Sequence, residues 1–260
     1  MSKVYDETHT YIHSLIEKNN PIILEVGAAD GNDSIKFLDK YTNISLHCFE
    51  ADPRAQYVHN KYVNDNRCKL HKCAVSDIDG KIKFNLSNSV GNRKLNIHTS
   101  WHNGNSDRYN VFKDATDVYN KLFNVESENQ TDHGWFYSSS IQETVNSPEN
   151  FWHGKYKNSI EVDTITLDTF TKNNNINHVD FLWTDVEGAE TRIINGAKNT
   201  LKFTNYLMLE YSKSRTIDGK NSKIFHGELR ENETIEFMKQ FNFSPIKNIE
   251  NNLIFKNNNI

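Results

Sequence analysis

The chain has 260 residues, of which 36% are hydrophobic and 25% charged. That is enough for one large α/β domain with its own core, with room for an insertion, rather than for two independent domains. A formal net charge of −4 offers no overall attraction to nucleic acid and argues against such a partner.

In chain order, the N-terminal "MSKVYDETHTYIHSLIEKNN" lacks the long apolar core of a signal peptide. No window approaches the ~18 apolar residues of a membrane span, so no membrane contact and a cytoplasmic location are expected. Tyr11, Ile12, Leu15 and Ile16 fall at helical spacing, and Pro21 closes that segment before "IILEVG", a strand apolar on both faces. A helix over "NDSIKFLDKY", a strand at "ISLHCFEADP", a helix over "RAQYVHNKYVND" and a strand at "KLHKCAVSD" follow. This alternation predicts a parallel sheet covered by helices. After the Asp79-Gly80 turn, "KIKFNLS" alternates at period two like an added hairpin strand.

From about Asn88 to Ser159 the rhythm stops, apart from a helical run near "DATDVYNKLFNVE". A structureless loop of that length does not suit a compact domain, so residues 88–159 are expected to be an insertion that folds over something. The alternation resumes with "SIEVDTITLDTF", the strand "HVDFLWTDV", a helix over "AETRIINGAKNTL" and the strand "YLMLEYS". A helix around "ELRENETIEFMKQF" and the pair "FSPIKN" and "NLIFK" close the chain. Cys48, Cys68 and Cys73 contain no CxxC pair, so spacing indicates neither a disulfide framework nor a zinc site, and reduced intracellular thiols are expected. Asn-x-Ser/Thr matches at Asn129 and Asn232 are chance in so Asn-rich a chain and read as unmodified.

The stretch "ILEVGAADGNDS" reads as a buried strand entering a glycine turn and a helix. A dinucleotide turn needs GxGxxG, so that helix and strand pack around a pyrophosphate. From Glu25 this chain instead reads ExGxAxG, with Gly27, Ala29 and Gly31. Small residues there let a ligand lie against the backbone where a Cβ would collide. A tight turn with no ligand is the competing reading. Glu50 ends the next strand, roughly twenty residues past the turn, where a carboxylate can accept both hydroxyls of a ribose. Asp77, after the third strand, could reach an adenine amino group, although an Asp near a turn glycine also needs no ligand. In "FLWTDVEGAE" Asp185 ends a buried strand and Glu187, Gly188 and Glu190 open the next helix. Ligands of open α/β sheets bind beyond the strands' carboxyl ends, which puts Asp185 at the crevice. Glu187 and Glu190 are also explained by a helix N-terminus.

Together "ILEVGAADG", "CFEADP", "AVSD", "ITLDTF", "FLWTDVEGAE" and "YLMLEYS" resemble, in order and spacing, the FkbM family of S-adenosylmethionine-dependent methyltransferases. The resemblance spans about residues 20–212 around the insertion, and "DVEGAE" preceded by "TLD" is its most specific part. It implies an α/β fold with a Rossmann-like class I methyltransferase sheet, mostly parallel with an antiparallel C-terminal strand and helices on both faces. The whole of 1–260 would form one domain carrying the insertion as a lid. It also implies S-adenosylmethionine as cofactor and O-methylation of a sugar, glycan or small polyketide-like hydroxyl compound. Glu25, Gly27, Ala29 and Gly31 become the cofactor turn, Glu50 the ribose acid and Asp185 the acid of the fourth strand. Where the family often has a basic residue before that Asp, this chain has Trp183-Thr184.

Methyl transfer from a sulfonium is an in-line displacement, so alignment and exclusion of water carry most of the work. A hydroxyl acceptor still needs its proton removed. Asp185 and Glu210, ending adjacent strands, and His226 after the fifth strand are the candidate bases. A divalent metal could assist, but none is indicated: His98 and His102 sit four apart in a stretch that does not read as a helix. The aromatics Trp101, Trp135, Phe136, Tyr137, Phe151, Trp152 and Tyr156 fall in the insertion and either form its own core or line an acceptor lid. The expected partner is a small-molecule or glycan acceptor. Competing readings are a non-catalytic cofactor-binding module, a Rossmann dehydrogenase, and an RNA methyltransferase, which would want a basic aromatic face.

Overall fold

The computed structural model describes residues 3–87, 109–124, 136–143, 158–212, 215–217, 220–222 and 225–260. In chain order, α1 (Lys3–Leu15) precedes β1 (Ile22–Val26), α2 (Asn32–Lys40), β2 (Ser45–Phe49), α3 (Pro53–Tyr62) and β3 (Cys68–His71). Two further strands, β4 (Ala74–Val75) and β5 (Gly80–Leu86), lead to α4 (Tyr109–Phe123) and β6 (Asn158–Ile165). The chain continues through α5 (Leu167–Asn173), β7 (Val179–Thr184), α6 (Glu190–Asn195), a 3-10 turn (Thr200–Phe203) and β8 (Thr204–Glu210). The short pair β9 (Arg215–Ile217) and β10 (Lys220–Ser222), then α7 (Glu231–Lys239), β11 (Phe243–Ile249) and β12 (Asn252–Asn257), complete it.

The main sheet has seven strands in the order β11-β12-β8-β7-β1-β2-β3. β12 alone runs antiparallel to both its neighbours, as expected for a strand returned by the tight turn at Glu250, whose φ is +57°. Alternate residues enter two cores, one on each face. Leu24, Val26, Leu182 and Leu207 pack with Leu167, Ile193 and Met238 of α5, α6 and α7. Ile23, Leu46, Phe181 and Met208 pack with Ile12 and Phe37 of α1 and α2. Burial on both faces explains why these strands read as nearly continuous apolar runs.

The structure departs from the sequence reading at three places. The third strand splits: β3 stays in the main sheet, while β4 pairs in parallel with β6. β5 does not form a hairpin with β3 but pairs antiparallel with β6, the returning end of the inserted stretch. Both strands alternate at period two, so each offers the other a half-buried face. Finally, the helix expected over Ala189–Leu201 stops at Gly196 and resumes as the 3-10 turn, whose Asn199 and Thr200 N–H groups donate to Asp168.

The described part of the insertion is fastened to the main body. Ala115 of α4 packs with Ala55 and Val58 of α3. Asn85 and Ser140 exchange backbone hydrogen bonds of 2.8 and 3.1 Å. Asp52 caps α3, and its carboxylate grips the Arg54 guanidinium at 2.6 Å, with both side chains out of solvent. Arg54 also donates to Ser87 O and Ser139 Oγ. Trp101, Trp135, Phe151, Trp152, Tyr156, His98 and His102 lie outside the described residues. Among the described residues no helix is long and apolar enough to cross a membrane.

Truncating Arg54 would leave the Asp52 carboxylate buried and unpaired, a change that costs about 3–5 kcal/mol in comparable buried pairs. Arg54→Met is therefore expected to lower the urea unfolding midpoint strongly, and Asp52→Asn added to it should restore part of the loss. A midpoint equal to wild type would show that this pair does not anchor the 136–143 segment.

Candidate active site

The glycine turn is shaped by close approach of backbone to backbone. Gly27 has φ +87°, and a Cβ there would lie 1.9 Å from the carbonyl oxygen of Asp185. Across this contact Asp185 N–H donates to Val26 O at 3.0 Å, so β1 and β7 are locked together at their carboxyl ends. Gly27 and Ala28 both donate to Phe49 O, which ties in the end of β2. Ala29 has φ +47°, uncommon for a residue with a Cβ. Its N–H, held in that position, donates to Glu50 Oε2 at 2.8 Å. Gly31, φ +80°, is the N-cap of α2, and a Cβ there would strike Val63 at 2.3 Å and His59 at 2.9 Å.

Beyond the carboxyl ends of β1, β2, β7 and β8 lies a cavity of about 580 Å³, in the range of small-molecule sites. Gly27, Ala29 and Glu50 form one wall and Asp185 and Glu210 another. Phe136 to Ile141, from the inserted stretch, cover a third side. Asn251, from the turn between β11 and β12, and Asn252, the first residue of β12, also line it.

The cavity's acids are perturbed by burial. Glu50 is pushed up to about 7, mainly by burial and then by the nearby Asp52, while its hydrogen bonds from Ala29 and Asp52 N–H pull the other way. Burial raises Asp185 to about 6. Glu210 is driven well above the ordinary carboxyl range by burial and then by Asp185, Glu187 and Glu190. Glu190, in the first turn of α6, is raised to about 8, again by burial first. Glu50, Asp185, Glu187 and Glu210 all line this one space, an acidic lining that favours a ligand bringing positive charge.

Of the residues singled out from sequence, Gly27, Ala29, Glu50, Asp185 and Glu210 come together around this cavity. Gly31 shapes the turn from behind. Glu25 does not line the space: strand alternation sends it with Ile23 toward the α1 and α2 face, where it accepts from Ser34 Oγ at 2.6 Å and Cys48 Sγ at 3.2 Å. Asp77 stands off the cavity, paired with Arg192 at 2.7 Å, which together with Ser76 holds its carboxyl below the usual range. His226 is exposed and enters through its backbone N–H, which donates to Glu143 O at 2.9 Å. Sequence reasoning missed Asn251, Asn252 and Ser140, because tight turns and inserted segments carry no periodicity that points to a site. Ser140 Oγ donates to Glu187 O at 2.9 Å and Tyr137 donates to Asp30 at 2.9 Å, so this segment is joined to both the turn and the start of α6.

The strand order with β12 reversed, and a cavity over the carboxyl ends of the central strands, define a Rossmann-like methyltransferase fold. The methyltransferase FkbM domain matches residues 25–245. The chain is 29% identical over 214 residues to the 2-O-methyltransferase NoeI of Sinorhizobium fredii, covering 82% of this chain and 72% of that protein. A putative rRNA-methylase of Clostridium thermocellum matches 98% of this chain and 96% of its own, at 10% identity and a TM-score of 0.43. The 1,6-didemethyltoxoflavin-N1-methyltransferase of Burkholderia thailandensis, solved with its substrate and S-adenosylhomocysteine, matches 98% of this chain and 78% of its own at the same identity and score. The chain belongs to the FkbM family of methyltransferases.

The raised acids carry a consequence for stability. Glu190 titrates near 4.5 when unfolded and near 8 when folded, so between those values the folded state holds the extra proton and stability falls as pH rises. The ligand-free protein is expected to lose Tm steadily from about pH 5 to pH 8, each kcal/mol being worth roughly 2–4 °C in a chain of this size. Glu190→Gln should flatten that slope. A scanning-calorimetry profile that rises over this interval, or is identical in the variant, contradicts the assignment.

Proposed function

We propose that the chain transfers a methyl group from S-adenosylmethionine to a hydroxyl oxygen of a sugar, glycan or small hydroxylated natural product. The observation that carries this is the pairing, across one cavity, of Glu50 at the end of β2 with Asp185 at the end of β7. The family membership and the 2-O-methyltransferase relative support it.

The residues present suit the cofactor. Each oxygen of Glu50 accepts one backbone N–H, from Ala29 and from Asp52. A carboxylate has about four acceptor positions, so Glu50 keeps acceptor capacity for a ribose hydroxyl. Asp185 and Glu187 line the same space and would offset the positive charge of a sulfonium. When bound, the cofactor supplies a methyl group already activated toward displacement. This chain's own residues then have to orient the acceptor, exclude water and receive one proton. Asp185, raised to about 6, is ionised at neutral pH yet basic enough to take a hydroxyl proton. Glu210, whose proton is favoured by burial and then by the acids around it, can orient the acceptor hydroxyl beside Asp185. Residues 136–141 line the same cavity, which supports reading residues 88–159 as a lid within one domain.

Calorimetric titration with S-adenosylmethionine and S-adenosylhomocysteine is the direct test of the cofactor reading. Wild type should bind both and Glu50→Ala neither, and a folded wild type that binds neither would end the methyltransferase reading. With a sugar acceptor found by screening, Asp185→Asn is expected to lower kcat by roughly 10²–10⁴ while leaving cofactor affinity within about twofold. The wild-type rate should rise with pH through about 6, the value set by burial of Asp185, and then level off. Cofactor affinity without turnover on any acceptor would favour a non-catalytic binding module.

A further inference from the structure

Behind the glycine turn, away from the cavity, five polar side chains from five elements meet inside an otherwise apolar core. They are Glu25 of β1, Ser34 of α2, Cys48 of β2, His59 of α3 and Cys68 of β3. Glu25, Ser34, Cys48 and His59 are all buried, and Cys68 is partly so. Cys48 Sγ lies 3.3 Å from Cys68 Sγ and 3.2 Å from Glu25 Oε2. One ligand atom from each of Cys48, His59 and Cys68 falls within 4.8 Å of the others. Ser34 Oγ, 3.2 Å from His59 Nε2, links the imidazole to the carboxyl.

We propose that Cys48, His59 and Cys68 form a binding site for one zinc ion, with Glu25, bonded to Cys48, the nearest carboxyl to complete its coordination. Two thiolates, an imidazole and a carboxylate are a zinc donor set, and bond lengths of about 2.3 Å to sulfur and 2.0–2.1 Å to nitrogen place tetrahedral ligand atoms about 3.5–3.8 Å apart. The Cys48–Cys68 separation of 3.3 Å is close to that spacing and the imidazole lies within 4.8 Å of both sulfurs, so side-chain rotations would bring these three onto one ion, with a further shift needed for Glu25. Without a metal the cluster buries two thiols, a carboxyl and an imidazole whose Nδ1 has no hydrogen-bond partner among the described residues, an arrangement that is costly in an apolar setting. The ion would draw together β1, β2, β3 and α3 from behind. Gly31, where a Cβ would meet His59 Cδ2 at 2.9 Å, and Ser34 rest directly on the site. Its role is therefore structural: it fixes the underside of the turn whose upper side faces the cavity. On binding, protons leave the two thiols and any carried by Glu25 for solvent, and no oxidant or reductant is needed. The sequence hides the site because its ligands are spread over a strand, a helix and another strand, with no CxxC or HxxxH spacing.

The test is a cobalt(II) titration of the full chain, stripped of metal and kept reduced, followed by zinc competition and elemental analysis of zinc-reconstituted protein. One cobalt per chain is expected, with the thiolate-to-cobalt charge-transfer band and the visible bands of a tetrahedral ion, all discharged by one equivalent of zinc. Cys68→Ser should weaken binding on the order of 100-fold or more, beyond the loss that outer-shell changes produce, whereas Cys73→Ser should leave the cobalt spectrum unchanged. Cys68 is partly exposed, so its serine variant is the one chosen to stay folded, and the wild-type stoichiometry decides the question even if it does not. Wild type with no thiolate–cobalt band and substoichiometric zinc, or a Cys68→Ser variant that binds cobalt as tightly as wild type, overturns the proposal. Neither result depends on cofactor binding or methyl transfer, so this site stands or falls separately from the proposed function.

Discussion

The contact between Gly27 and the Asp185 carbonyl is the constraint on which the site depends. With 1.9 Å between that oxygen and where a Cβ would stand, no side chain fits, and the positive φ adds strain for any residue but glycine. Because the ends of β1 and β7 can touch, the chain leaving β1 turns sharply over Phe49 and presents Ala29 N–H to Glu50. The same contact fixes where Asp185 emerges. One steric fact thus sets the distance between the two acids assigned to cofactor and acceptor, before any side chain has a part.

Around that contact the sheet crowds acids into a dry corner. Asp185, Glu190 and Glu210 all sit at higher pKa than free carboxyls, first because burial removes solvent and then, for Glu190 and Glu210, because Asp185 stands near. Ionising such a corner is costly, since desolvated like charges repel. A cationic ligand lowers that cost, so free energy withheld from the bare fold can reappear as affinity for a sulfonium. On this reading the perturbed acids and the proposed specificity for a charged methyl donor have one physical origin.

The sequence made the sheet legible because its central strands are buried on both faces and its punctuation is local: Pro21 before β1, Asp52-Pro53 at the start of α3, and glycines in the turn. The cavity wall of Gly27, Ala29, Glu50, Asp185 and Glu210 was legible for the same reason, since each lies at a strand end. What could not be read is what depends on direction or on distance along the chain. Glu25 is one residue from Val26 yet points to the opposite face. The "TLD" motif turns out to be scaffolding: Thr166 caps α5, and Asp168 gathers the N–H groups of Asn199 and Thr200. β5 finds its partner across the insertion, and the Cys48, His59 and Cys68 cluster is assembled by three elements whose sequences carry no common signature.

The insertion is coupled to the cofactor side through a short hydrogen-bonded relay. Glu50 accepts from Asp52 N–H, Asp52 holds Arg54, and Arg54 reaches Ser87 O and Ser139 Oγ. Ser139 Oγ also donates back to Asp52 Oδ2 at 2.8 Å. The residue proposed to grip the ribose and the segment proposed to cover the acceptor therefore share a single buried ion pair. Buried pairs of this kind tolerate small displacements badly, because lost geometry leaves desolvated charge uncompensated. Any coupling carried through this pair is reciprocal, so a ligand that orders Glu50 would favour the same arrangement of the 136–143 segment, and the converse. On the proposed function, filling the cofactor side would in this way help shape the acceptor side.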